Sequence, residues 1–356
     1  MIRVFAIGVF TALAAYCGVL AILSWATRRE VFDIPNDRSS HETPTPRGGG
    51  LVMVVLTLAG VLVFGIMYGE VRTLWWYLIG GALIAIVSWF DDLQDLPSTV
   101  RFAVHGIGAL LAIEGFGYWQ SVNLPFLSTI GLGWAGLAVT FVWVVGLTNA
   151  FNFMDGVDGI AGLQAVVAGL AWMVFGWWTD QSLIVVIGLM VSCSSLGFLL
   201  HNWSPARIFM GDVSSAFLGF TFAALPLMAA RNGGVQDRWM LASILVMWPF
   251  VFDTTLTLIR RLLRGENVLK AHRSHLYQRL VIVGMSHAGA SSLYGVFALL
   301  SALIGAAWLF NIRGSEILAA VAPLMLGLGL WRFTIGQERR HAATIAGLES
   351  LAQERP

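Results

Sequence analysis

Residues 131–178 read GLGWAGLAVTFVWVVGLTNAFNFMDGVDGIAGLQAVVAGLAWMVFGWW. Two apolar runs, 131–150 and 159–178, flank a short segment holding Asn152, Asp155 and Asp158. Each run is long enough for an α-helix to cross a bilayer, which takes about 20 residues. The carboxylates fall between the runs and not inside them, as expected where burying a charge in hydrocarbon is costly. The same alternation extends along the chain. Of its 356 residues 57% are hydrophobic and only 12% charged, where a soluble domain would carry about 25% charged residues. Mean hydropathy is +0.77. The fold class is therefore an all-α polytopic membrane protein, and a net charge of +1 excludes the basic surplus of a nucleic-acid binder.

Further runs at roughly 3–25, 50–68, 73–90, 101–116, 182–200, 213–230, 239–260, 288–310 and 316–335 bring the expected count to eleven spans. The first is too long for the apolar core of a cleaved signal peptide and reads as a span. Cys17 and Cys193 both lie in apolar runs and read as packing residues. With eleven crossings, sixteen of the 21 Lys and Arg residues fall on one side and five on the other. The positive-inside rule then puts the N-terminus outside and the C-terminus in the cytoplasm. Asp33, Asp37, Asp91, Asp92, Asp95, Asp155, Asp158 and Asp212 all fall on the cytoplasmic side of this map. One membrane domain over 1–336 is expected, followed by a short amphipathic tail over 337–356.

Five polar constellations remain. The first loop ends in Pro46-Arg47-Gly48-Gly49-Gly50, where free glycine N–H groups and Arg47 could meet an anion or simply form a flexible lead-in. Asp91-Asp92-Leu-Gln-Asp95 crowds three carboxylates at a helix C-terminus, unfavourable with the dipole unless a cation compensates. Asn149, Asn152, Asp155 and Asp158 recur every three residues and would share one face of a helical turn. They lack the ligand spacing and closing Glu of an EF-hand. Asn202 precedes Met210-Gly211-Asp212, which reads as an N-cap by default. Asp253 lies within the ninth apolar run, facing Arg260, in either a structural ion pair or a substrate contact. The last loop carries His272, His275 and Arg279 with Arg264 and Lys270, a cationic set suited to a polyanion or to anionic lipid.

Taken in this order, PRGG, DDLQD, NxxNxxDGxDG, MGD and HRSH resemble the polyprenyl-phosphate N-acetylhexosamine-1-phosphate transferase superfamily, bacterial glycosyltransferase family 4. The resemblance runs from Asp33 to Arg279 and leans towards its O-antigen-initiating members. It implies transfer of a sugar-1-phosphate from a UDP-N-acetylhexosamine, such as N-acetylated fucosamine, quinovosamine or glucosamine, to undecaprenyl phosphate, releasing UMP. It also implies Mg²⁺, with Mn²⁺ able to substitute, membrane lipids around the enzyme, and a homodimer as a candidate assembly. By matched motif, Asp91 and Asp92 correspond to acids near the lipid phosphate, Asp212 to a metal ligand, and Asp155 and Asp158 to the catalytic region. Arg47, Asn149, Asn152, Asn202, Asp253, Arg260, His272, His275 and Arg279 correspond to substrate contacts.

Tyr277 and Gln278 stand where several relatives carry paired histidines, so catalysis should not depend on that pair. The phospho-MurNAc-pentapeptide translocase branch, an alternative, has a histidine triplet and an early-loop lysine that are missing here. A transporter would place its acids near the midplane and show related halves. A CDP-alcohol phosphatidyltransferase would show DGxxAR followed by GxxxD; neither arrangement occurs.

Overall fold

A computed structural model describes residues 2–35, 43–94, 96–231, 236–267 and 272–353. Asp37, Arg38, His41, Asp95 and Lys270 lie outside the described residues. The apolar runs become α1 (Ile2–Arg28), α2 (Leu51–Tyr68), α3 (Val71–Gln94), α4 (Ser98–Phe116), α5 (Ala135–Phe153), α6 (Ile160–Trp178), α7 (Ser182–Asn202) and α8 (Asp212–Arg231). A turn of 3-10 helix (Gln236–Arg238), α9 (Trp239–Val246), α10 (Trp248–Leu263), α11 (Leu276–Ile282), α12 (His287–Leu309) and α13 (Ser315–Gln353) complete the helices. Two antiparallel pairs supply the only described strands: β1 (Phe32–Asp33) with β2 (Thr45–Pro46), and β3 (Ser121–Leu124) with β4 (Ser128–Gly131). Among the described residues, ten helices are long and apolar enough to span a membrane by themselves. The chain is a multi-pass membrane protein.

The core is built around α8, buried continuously from Val213 to Ala229. It alternates small residues with Phe217, Phe220 and Phe222 and packs against α3, α4 and α5. A buried polar tie to α3 midway along it, Tyr77 to Thr221 at 3.0 Å, satisfies both hydroxyls away from water. Outer helices instead show apolar side chains such as Phe10, Val142 and Met325 to their surroundings, the pattern expected where lipid is the solvent.

The ninth apolar run is not one helix. α9 and α10 meet at Met247 with an 80° bend. Pro249 stands in the first turn of α10, where its missing N–H costs nothing, whereas in a helix continuous with α9 it would leave the Leu245 carbonyl without its donor. The bent pair still crosses the bundle. Arg238, just before α9, bonds to the Trp308 carbonyl at the end of α12 (2.7 Å). At the opposite end Asp253 of α10 reaches the start of α11. Counting the pair as one crossing gives eleven. α13 continues unbroken from Ser315 through the last apolar run to Gln353.

Candidate active site

The polar motifs meet at the end of the bundle where α3 and α5 finish and α8 begins. Asp91 and Asp92 are both buried there. Asp91 Oδ1 accepts the Leu96 N–H at 2.6 Å, and its Oδ2 accepts from Arg101 at 2.9 Å. The same Arg101 nitrogen lies 3.4 Å from Asp212 Oδ2. One guanidinium from the first turn of α4 thus separates two carboxylates that would otherwise repel. Asp92 accepts the N–H groups of Asp212 and Val213, both at 3.0 Å, so an acid from α3 caps α8. This corrects the N-cap expectation for Asp212. Its own carboxylate is left out of the cap and one-third exposed. Gly211 makes the approach feasible: it adopts φ +81° with the Asp92 carboxylate against its Cα, a place for no other residue.

Arg47 stands 4.0 Å from Asp92. The glycines after it are not an anion cradle, because Gly49 and Gly50 donate their N–H groups to the Phe209 and Met210 carbonyls at 3.0 Å. They lock the first loop onto the MGD turn instead.

The NxxNxxDGxDG string divides in two. Asn149 and Asn152 are in the last turns of α5, donating to the Val145 carbonyl (2.7 Å) and to Ser215 Oγ of α8 (2.9 Å). Helix α5 ends at Phe153, so the four residues do not share one helical face. Asp158 turns away: its oxygens meet the Ala206 N–H at 3.2 Å and His287 Nδ1 at 3.2 Å. Burial alone would push its carboxyl up, but the His287 contact and the Ala206 N–H hold it below the usual carboxylate value. The Asp155 carboxylate faces the other acids and, among the described residues, has no hydrogen-bond or ion-pair partner. Burial first, then the charges of Asp212, Asp92, Asp158 and Asp33, push its carboxyl up to about 8. Asn202 is committed at both ends, accepting from the Gly159 N–H and donating to the Ile208 carbonyl, each at 3.0 Å. It is a clamp between loops.

In the last loop, Asp253 is fully buried and is not paired with Arg260. It accepts from Leu276 N–H (2.9 Å), Tyr277 N–H (3.3 Å), Tyr294 Oη (2.6 Å) and Thr257 Oγ1 (3.1 Å), with His275 Nδ1 at 3.3 Å. A helix-bound acid thereby satisfies the free N–H groups at the start of α11. His272 Nδ1 contacts Ser274 Oγ at 2.9 Å. Burial first, then the charges of His275 and Arg261, lower it to about 4. It is neutral at pH 7 and adds no cation. Arg279 forms a two-bond fork with Glu338 of α13 (2.7 and 2.6 Å). Of the residues expected to meet a polyanion here, most are already engaged with the protein.

Among the described residues no three acid, His or Cys side chains form a ready-made metal cage. Mg²⁺ in phosphoryl-transfer sites usually takes only one or two carboxylates and completes its shell with water and phosphate oxygens. Asp212, outside its helix cap, and Asp155, without a partner, fit that demand. Arg101, His287, Tyr294 and Glu338 were missed by sequence reasoning. Only Arg101 left a signal, a cation in the first turn of the span after DDLQD.

The profile of glycosyl transferase family 4 matches residues 74–230, from α3 to α8. A Bacillus subtilis protein named "probable undecaprenyl-phosphate N-acetylglucosaminyl 1-phosphate transferase" is 34% identical over 257 residues, 72% of this chain and 71% of its own. The chain belongs to this family. Other family 4 relatives include a decaprenyl-phosphate N-acetylglucosaminephosphotransferase of Mycobacterium leprae, 31% identical over 79% of this chain and 77% of its own. A phospho-N-acetylmuramoyl-pentapeptide-transferase of Listeria monocytogenes is 30% identical over 61% of this chain and 68% of its own. The family 4 segment contains Asp91, Asp92, Arg101, Asp155, Asp158 and Asp212 and ends before α9.

Proposed function

We propose that this chain transfers an N-acetylhexosamine-1-phosphate from a UDP-sugar to undecaprenyl phosphate and releases UMP. The reaction would take place at the cytoplasmic face of a bacterial inner membrane, beginning a lipid-linked envelope polysaccharide such as O-antigen. The observation that carries this reading is one acid cluster, Asp91, Asp92, Asp155 and Asp212 with Arg101 and Arg47, at one end of a membrane bundle inside the family 4 segment. The relatives' names support a polyprenyl-phosphate acceptor.

The chemistry joins two anions. An acceptor phosphate oxygen attacks the β-phosphorus of the donor, the bond from that phosphorus to the bridging oxygen breaks, and UMP leaves with the bridging oxygen. Mg²⁺, held by Asp212, would neutralise charge on the diphosphate. Arg101 and Arg47 offset the carboxylates, letting anions approach. Of the acids, Asp155 suits a proton acceptor best: it has no partner, and its raised value lies near working pH. This assigns to Asp155 the role expected for Asp91 or Asp92, both of which accept hydrogen bonds already. A covalent aspartyl route would show UMP exchange into UDP-sugar without lipid; its absence leaves the single displacement.

The test uses membranes containing the protein, undecaprenyl phosphate, Mg²⁺ and labelled UDP-N-acetylhexosamines. UDP-MurNAc-pentapeptide belongs in the panel because of the Listeria relative. Label should enter lipid with release of UMP, and vanish with EDTA and in Asp212→Asn. Transfer from no donor, by folded protein, would overturn the proposal.

A further inference from the structure

α11 is a seven-residue helix, too short to hold itself in water, and its position is set by what grips it. One grip is Asp253 at its N-terminus. The other is Glu338, whose two oxygens take Arg279 Nε and Nη2 at 2.7 and 2.6 Å. Glu338 stands on α13 beyond the last apolar run, and its charge also offsets that of nearby Arg260. A fork of this kind fixes direction as well as distance.

α11 in turn touches the acid loop. Two residues before Arg279, the fully buried Tyr277 donates from its hydroxyl to the Phe153 carbonyl at 2.9 Å. The same hydroxyl lies against Gly156, leaving no room there for a side chain. Phe153 and Gly156 bracket Asp155. An unbroken line of contacts therefore runs from α13 through Glu338, Arg279 and Tyr277 to the loop of the unpartnered acid.

We infer that the extension of α13 is a strut and Glu338 a positioning residue, which acts through Arg279 and Tyr277 to hold the Asp155 loop. Arg279 serves this line in place of a substrate contact. Its remaining nitrogen, Nη1, is buried and has no partner among the described residues.

The test is hydrogen exchange on the full-length protein in nanodiscs, with kinetics alongside. Glu338→Gln should speed exchange in peptides covering 150–159 and 274–283 while leaving α6 and α7 unchanged. Turnover should fall about 10- to 100-fold, the scale of a misplaced catalytic group, with KM for either substrate changed less than about twofold. Glu338→Asp, which keeps the charge, should recover most of the turnover. If Glu338→Gln does not fold, the same contrast is read from Arg279→Lys, which loses the fork but keeps the charge. Unchanged exchange at 150–159, or a uniform rise across all helices, would overturn the inference. The kinetic arm rests on the transferase reading; the exchange arm decides the strut even where no transfer is detected.

Discussion

Asp155 and Asp158 are the same residue type three positions apart, yet the fold gives them opposite settings. Asp158 is held charged by His287 and the Ala206 N–H, while the Asp155 carboxylate is left among like charges with no partner among the described residues. Asp155→Asn should therefore lower transfer by about 10²- to 10⁴-fold, the range for losing a general base, without harming the fold. The stability effect has a definite sign. Between the ordinary 3.8 and about 8 the folded protein binds a proton that the unfolded chain has released, so Asp155 erodes stability as pH rises through that window. The melting temperature of Asp155→Asn relative to the parent should climb from pH 5 to pH 8 and then level off. Asp158 behaves in reverse, because its folded value is depressed. It contributes stability above its ordinary value, and that contribution fades as pH falls through the folded value. Asp158→Asn should cost about 1–3 kcal/mol at pH 7, read from thermal unfolding in detergent. A flat pH difference for Asp155→Asn would remove the acid from the cluster.

The elements show what a linear string can and cannot reveal. Most spans were legible, because roughly 20 apolar residues between polar turns is a demand the bilayer makes of any helix. The break in the ninth was not, since 239–252 reads as apolar on both sides of it and only Pro249 marks it. The acids were legible as motifs, but their duties depend on partners far along the chain. Asp92 caps a helix that starts 120 residues later, and nothing local in DDLQD says so. Arg101 went unread for the same reason. It balances Asp91 and Asp212, so Arg101→Ala should lower stability without divalent ions by about 1 kcal/mol, allowing for its partial exposure. Millimolar Mg²⁺ should restore more stability to this variant than to the parent, as followed by thermal unfolding; an equal gain in both would sink the balancing role. The contact between α11 and the acid loop is tested by a double-mutant cycle. Gly156→Ala forces a methyl into the Tyr277 hydroxyl and should cost about 1–3 kcal/mol as overpacking. Tyr277→Phe removes the nearest atom, so the double variant should be more stable than the sum of the two singles predicts.

At the scale of the molecule, the eleven crossings and the charge asymmetry make one joint claim. Contacts carry the bent pair α9–α10 from the end marked by Trp308 to the end where Asp253 meets the start of α11. With the pair counted as one crossing the number is eleven, and an odd number would put the two termini on opposite sides. Counted over those eleven crossings, the Arg and Lys bias would put the acid end in the cytoplasm. Single cysteines in a background lacking Cys17 and Cys193 separate the two parts of this claim. Ser128→Cys sits in the exposed β3–β4 pair, and Ala342→Cys on the exposed extension of α13. An impermeant maleimide should label Ser128→Cys in right-side-out vesicles and Ala342→Cys in inverted ones. Labelling of both from one side would make α9–α10 a re-entrant pair, against the contacts that span the bundle. Labelling from opposite sides but in the reverse sense would keep the fold and overturn the orientation. The acid cluster would then face the periplasm, and a UDP-sugar could not reach Asp212 without first being exported.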